Sequence, residues 1–241
     1  MLSAGERPQL PVPSALVNSS SNVPVNRVRA MPDLEPNGTS APAGIIPQKG
    51  IKASEIQHIW VVTGPAGCGK STVGQVLRNE LNVPFLEGDD YHPKANKEKM
   101  GNGIPLTDAD RWDWLISLRQ AATDALSPSE SNNFQPPAGV VVACSALKKK
   151  YRDVMRVATY GEPAVQIHFV YLKLTEAVLM QRVSQRQAHY MKSDMVKSQL
   201  AALEEPRENE WDAITINVEG AQEQVQQNVL DAVAKKLAEY S

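Results

Sequence analysis

The sequence predicts a three-layer α/β fold, a five-stranded parallel sheet with helices on both faces. Three observations predict it. Short apolar runs recur along the chain, and stretches of helical period separate them. The runs are close to continuous in apolar residues, as expected of strands buried on both faces. The first of them ends in a glycine-rich turn that leads directly into a helical stretch.

Taken in order, residues 1–52 hold eight of the 17 prolines, a Ser19-Ser20-Ser21 run and little periodic apolar content. Such a segment buries too little surface to offset its ordering entropy and is expected to be a disordered tail. A single domain is expected over 53–241. Ile59-Trp60-Val61-Val62 reads as a buried strand, Ser71 to about Leu81 as a helix and Pro84–Leu86 as a short strand. Helices follow near 93–100 and 108–126, the second with Thr107 placed as its N-cap. Ser127–Gly139 has three prolines and two asparagines and reads as a surface loop inserted in the domain. Val140–Ala143 is the next strand, with a helix from about Leu147, and Gln166–Leu172 is another strand. Helices near 175–187 and 193–204, a strand at Ala213–Val218 and a helix at about 220–239 complete the chain.

Composition narrows the function. The 241 residues carry a net charge of −2, which offers no basic footprint for nucleic acid. No run approaches the roughly 18 apolar residues of a membrane span, so no membrane partner is expected. Two cysteines, Cys68 and Cys144, make no disulfide framework and fit a reducing compartment. The tail has neither a secretory apolar run nor the Arg-rich, acid-poor make-up of a transit peptide. A cytoplasmic protein is the expectation.

Gly64-Pro65-Ala66-Gly67-Cys68-Gly69-Lys70-Ser71 matches G-x-x-x-x-G-K-[ST] in the required strand-to-helix setting. Its glycines turn successive backbone N–H groups inward as an anion nest, and the helix adds its positive end. Residues 64–71, with Thr72 behind them, are therefore the expected ATP site, Lys70 reaching the β/γ-phosphates and Ser71 ligating Mg²⁺. The strand Val140–Ala143 runs into Cys144-Ser145-Ala146 with no acid, which argues against a motor ATPase or GTPase. The nearest string to a guanine reader, Asn96-Lys97-Glu98-Lys99, lacks the aspartate. Glu87 and Asp89 stand two apart at a strand end, where carboxylates orient metal-bound water or accept a proton from an attacking hydroxyl. Arg182 and Arg186, four apart on one helix face and followed by His189 and Lys192, read as a lid closing over ATP, with Arg186 also a nucleotide contact. From Lys148-Lys149-Lys150-Tyr151-Arg152, one or two cations are expected to face an anionic acceptor, Lys148 and Arg152 being the candidates.

The strings GPAGCGKSTVG, FLEGDDYHPKANKEKMGNGIPLTDADRWDWL, CSALKKKYRD and HFVYLKL resemble the gluconokinase family, of the small P-loop type related to shikimate and adenylate kinases, over about 56–240. The most diagnostic pattern runs Gly88-Asp89-Asp90-Tyr91-His92-Pro93, Asn96, Lys99-Met100 and Gly103 through Arg111. The resemblance implies a P-loop kinase fold with a small helical lid, ATP:gluconate phosphotransfer giving 6-phosphogluconate for the pentose phosphate pathway, Mg²⁺ and, commonly, a homodimer. By similarity to shikimate kinases, Asp89 takes the place of the acceptor-binding acid. Glu87 takes that of a metal-water ligand often found as Asp. Arg111 suits a carboxylate gripped by two parallel bonds, while His92 and Asp89 suit hydroxyls. Lys70, Asp89, Arg182 and Arg186 form the expected catalytic set. Asp108 and Asp110 suit hydroxyls as well, Asp108 equally the helix N-terminus. A kinase of another small acceptor, such as shikimate or a nucleotide, stays open, as does a nucleotide-binding regulator without catalysis.

Overall fold

The computed structural model describes residues 55–185 and 193–240. The chain divides into Met1–Ile45 and Ile46–Ser241, and the described residues all fall in the second unit. The expected tail, residues 1–52, lies outside them.

Five parallel strands form one sheet in the order β2-β3-β1-β4-β5. They are β1 (Gln57–Thr63), β2 (Phe85–Glu87), β3 (Gly139–Ala143), β4 (Val165–Lys173) and β5 (Ala213–Asn217). The helices are α1 (Lys70–Leu81), α2 (Lys94–Gly101), α3 (Asp108–Ala125), α4 (Lys149–Arg156), α5 (Glu176–Gln185), α6 (Ser193–Ala202) and α7 (Gln222–Leu237). Expected and observed boundaries differ by a few residues at most; Gly139, expected to end the loop, opens β3 instead.

Neighbouring residues of a strand point to opposite faces, so a sheet covered twice needs apolar side chains at both parities. In β1, Ile59 and Val61 face one side with Val140, Val142, Ile167 and Phe169, against Leu115 and Leu118 of α3 and Met155 of α4. Trp60 and Val62 face the other with Val141, Val170 and Leu172, against Leu77 of α1, Leu179 of α5, Val196 of α6 and Val229 of α7. Each fully buried aliphatic or aromatic side chain contributes about 1.5–3 kcal/mol. The sheet order reverses beside β1, which opens a crevice at the C-terminal strand ends.

The opposite end of the sheet is closed differently. The rings of His58, Trp60, His168 and Tyr240 gather there, with Trp60 and His168 stacked at 4.3 Å and His58 Nδ1 3.0 Å from His168 Nε2. Burial pushes both imidazoles down, to about 4 and about 3, so the pair is neutral at pH 7. At this end too, the Gln57 amide donates to the Leu126 carbonyl at 2.9 Å and the Pro137 carbonyl at 2.8 Å. One side chain thus holds both ends of the loop expected at 127–139, whose middle is a 3₁₀ turn at Glu130–Asn132.

Candidate active site

The turn between β1 and α1 needs its glycines. Gly64, Gly67 and Gly69 have φ of 144°, 91° and 106°, in the region that side chains with a Cβ avoid. Cys68 is buried beneath the turn, and burial pushes its thiol up, so it fills space and is no nucleophile. Lys70 Nζ lies 3.1 Å from the Pro65 carbonyl, folded back along the loop. The Ala66 N–H donates to Gln199 Oε1 of α6 at 2.7 Å. The Ser71 hydroxyl faces the Glu87 carboxyl at the end of β2. Burial pushes the Glu87 carboxyl up, while that hydroxyl pulls it back. This pairing brings together two hard oxygen donors of the kind that hold Mg²⁺ directly or through water.

Two hollows flank the turn. One, of about 360 Å³, is lined by Gly67, Cys68, Gly69, Thr72, Arg182 and Val218 among others. Arg182 donates from Nη2 to the Val218 carbonyl and from Nη1 to the Cys68 carbonyl at 3.5 Å, which sets its guanidinium between the P-loop and the segment after β5. Its expected partners Arg186, His189 and Lys192 lie outside the described residues.

The other, of about 470 Å³, joins Ala66 and Lys70 to Asp89, His92 and Arg111. Asp89 stands exposed on a 3₁₀ turn, Gly88–Tyr91. Gly88 is required there, since a Cβ would lie 2.3 Å from the Ala143 carbonyl oxygen. Trp114 of α3 donates its indole N–H to the Gly88 carbonyl at 2.7 Å and stacks on His92 with ring centres 4.0 Å apart. Burial lowers His92 to about 4 against the opposing pull of Asp89, so a neutral imidazole faces the cleft. Arg111 reaches the Leu106 carbonyl at 3.5 Å and lies 5.6 Å from the centre of the Tyr151 ring. Neither partner neutralises its charge. The helix presenting it starts in a capping box between Thr107 and Asp110, and Lys99 adds a 2.6 Å bond to Asp110.

The candidates from the 148–152 segment do not join this cleft. Lys148 donates to Asp108 at 2.9 Å, and Lys150 and Tyr151 bind the same carboxylate. Those three bonds, from Lys150 first, hold Asp108 well below the usual carboxylate range, so Asp108 is a clamp between α3 and α4. Arg152 is 1% exposed and gives two bonds to Glu210, at 2.8 and 2.7 Å, and one to the Glu204 carbonyl at 2.9 Å. A guanidinium so enclosed has no face left for a ligand; its expected acceptor role is replaced by a structural one. Sequence reasoning missed Ser145, Met195, Ser198 and Gln199, which line the cleft, and Trp114, which is buried against His92. Trp114, three residues after Arg111 in a helix, was open to discovery from spacing. The α6 residues carry no motif.

A family model described as an AAA domain matches residues 59–208. The chain is 44% identical to a probable gluconokinase of Schizosaccharomyces pombe over 76% of its own length and 91% of that protein. It is 35% identical to the thermoresistant gluconokinase of Escherichia coli K12, over 74% of its length and 94% of that protein. The crystal structure of a gluconokinase from Sinorhizobium meliloti 1021 superposes with a TM-score of 0.64 at 35% identity, covering 77% of this chain and 95% of that one. On the strength of these matches, the chain belongs to the gluconokinase family.

Proposed function

We infer that this chain transfers the γ-phosphoryl group of ATP to the 6-hydroxyl of D-gluconate, giving ADP and 6-phospho-D-gluconate. The observation that carries the reading is one shared cleft: P-loop residues Ala66 and Lys70 line it together with Asp89, His92 and Arg111. Donor and acceptor groups therefore meet without a wall between them. Asp89 orients the hydroxyl and takes its proton as the new O–P bond forms and the bond from phosphorus to the β-phosphate oxygen breaks. Lys70 stabilises charge on the transferred group. Arg111 grips the gluconate carboxylate, and neutral His92 both donates to and accepts from hydroxyls. Arg182 lines the nucleotide hollow.

Mg²⁺ would be held by the Ser71 hydroxyl and, through water, by Glu87, and when bound it neutralises charge across the β- and γ-phosphates. The nearness of the Ser71 hydroxyl to the Glu87 carboxyl supports that assignment. A cytoplasmic setting fits the free, buried thiols of Cys68 and Cys144.

The test is ADP release with gluconate, shikimate and nucleoside monophosphates as acceptors. Gluconate alone is expected to support turnover. Asp89→Asn is expected to lower kcat about 100-fold while the KM for gluconate moves less than about threefold. Preference for another acceptor, or a fully active Asp89→Asn, would overturn the reading.

A further inference from the structure

The P-loop N–H groups are arranged for phosphate oxygens, yet that of Ala66 is already held by a side chain. Ala66 donates at 2.7 Å to the side-chain oxygen of Gln199, which comes from α6, 133 residues later. Gln199 is half-buried and also lines the acceptor cleft, beside Met195 and Ser198. Its carboxamide therefore borders both substrates' ground.

The backbone behind it is fixed. Val196 is fully buried in the core. Just past the helix, the Glu204 N–H donates to the Leu147 carbonyl at 2.8 Å, its carboxylate accepts from the Lys149 N–H at 2.8 Å, and its carbonyl accepts from Arg152 at 2.9 Å. What is free to change at position 199 is the side chain. A neutral amide oxygen is the weaker claimant to a nest N–H, because hydrogen bonds to an anionic oxygen are about twice as strong. An arriving phosphate displaces it. The released carboxamide has an acceptor oxygen and two N–H donors, which match a hydroxyl that gives one bond and takes another.

We propose that Gln199 is an acceptor-binding residue that exchanges partners: it caps the Ala66 N–H while nucleotide is absent and binds a gluconate hydroxyl once phosphate has taken that N–H. The inference rests on the gluconate phosphotransfer reading above. It requires the two substrates to help each other bind, since nucleotide frees a group that the sugar acid uses, and the help is reciprocal. The expected size is that of one neutral hydrogen bond, about 3–10-fold in affinity.

Calorimetric titration of gluconate into the full chain, with and without a non-hydrolysable ATP analogue and Mg²⁺, reads this coupling directly. The wild type is expected to bind gluconate about 3–10-fold tighter with the analogue present. Gln199→Ala is expected to reduce that factor below about twofold and to raise the gluconate KM about 3–10-fold, with the ATP KM unchanged or lower. Gln199→Glu still accepts from Ala66 but donates nothing, and is expected to lose gluconate as the alanine variant does. Wild-type coupling in Gln199→Ala would overturn the proposal. So would a parallel rise of both KM values with a lowered melting temperature, the mark of a plain tie between α6 and the P-loop. If the wild type itself releases no ADP with gluconate, the functional reading fails and takes this inference with it; if it turns over and the variant matches it, the inference fails alone.

Discussion

Arg111 and Arg152 stand on α3 and α4, two helices that cover the same face of the sheet, and their surroundings are opposite. Arg111 touches a carbonyl and an aromatic ring, neither of which cancels its charge. Arg152 is closed in by Glu210 and the Glu204 carbonyl, in a cluster that Arg156 extends to Asp212. A guanidinium moved out of water must be compensated on the spot, and the compensation uses up the donors a ligand would need. One left beside a cleft with its charge standing is available to an anion. Net charge in a segment says nothing about which case holds; the partners decide it.

The sharpest break of this contrast is Arg152→Met. Its loss leaves the buried Glu210 carboxylate with Arg156 as its remaining cation, so stability is expected to fall by at most about 3–5 kcal/mol in denaturant titration. Molecules still folded should keep the wild-type KM for ATP. A change in gluconate KM without loss of stability would return Arg152 to the ligand side. Arg111→Ala should do the reverse, raising the gluconate KM about tenfold with the ATP KM and the denaturant midpoint almost unmoved. A matching rise for ATP would shift Arg111 to the nucleotide.

His58 and His168 are a third solution to burial, in which the groups shed their charge rather than pair it. Both are lowered by desolvation, to about 4 and about 3, against about 6.5 in the unfolded chain. The unfolded state therefore binds more protons below pH 6.5. Stability is full above that value and is lost as pH falls toward about 4, by about 1 kcal/mol per histidine at pH 5.5. Urea midpoints compared at pH 7.5 and 5.5 check this, and the drop should shrink in His58→Gln. A flat profile would mean that the folded pair takes up protons as readily as the unfolded chain does.

How much of this was legible in the sequence follows the same physics. The P-loop was readable residue by residue, because a backbone nest needs glycine at set positions and a lysine at one. The central strands were readable because both their faces are buried. Asp89, His92 and Arg111 were reached through a family pattern, and all three line the one cleft. The partners of Lys148 and Arg152 were not legible, because they lie far along the chain: Arg152 meets Glu210 58 residues later, and Lys148 meets Asp108 40 residues earlier. Gln199 had no local signal at all, since its partner Ala66 is 133 residues away.

The Gln57 amide has a consequence for engineering. It ties the carbonyls of Leu126 and Pro137 to the start of β1, so the chain leaves α3 and enters β3 at one anchored point. That point is at the N-terminal strand ends, while the cleft is at the C-terminal ends. Doubling the length of a flexible loop costs only about 0.6 kcal/mol in closure entropy. Between residues 127 and 136, then, a tag, an epitope or a second domain can be spliced in, with the catalytic end of the sheet insulated from the graft by the full length of β1.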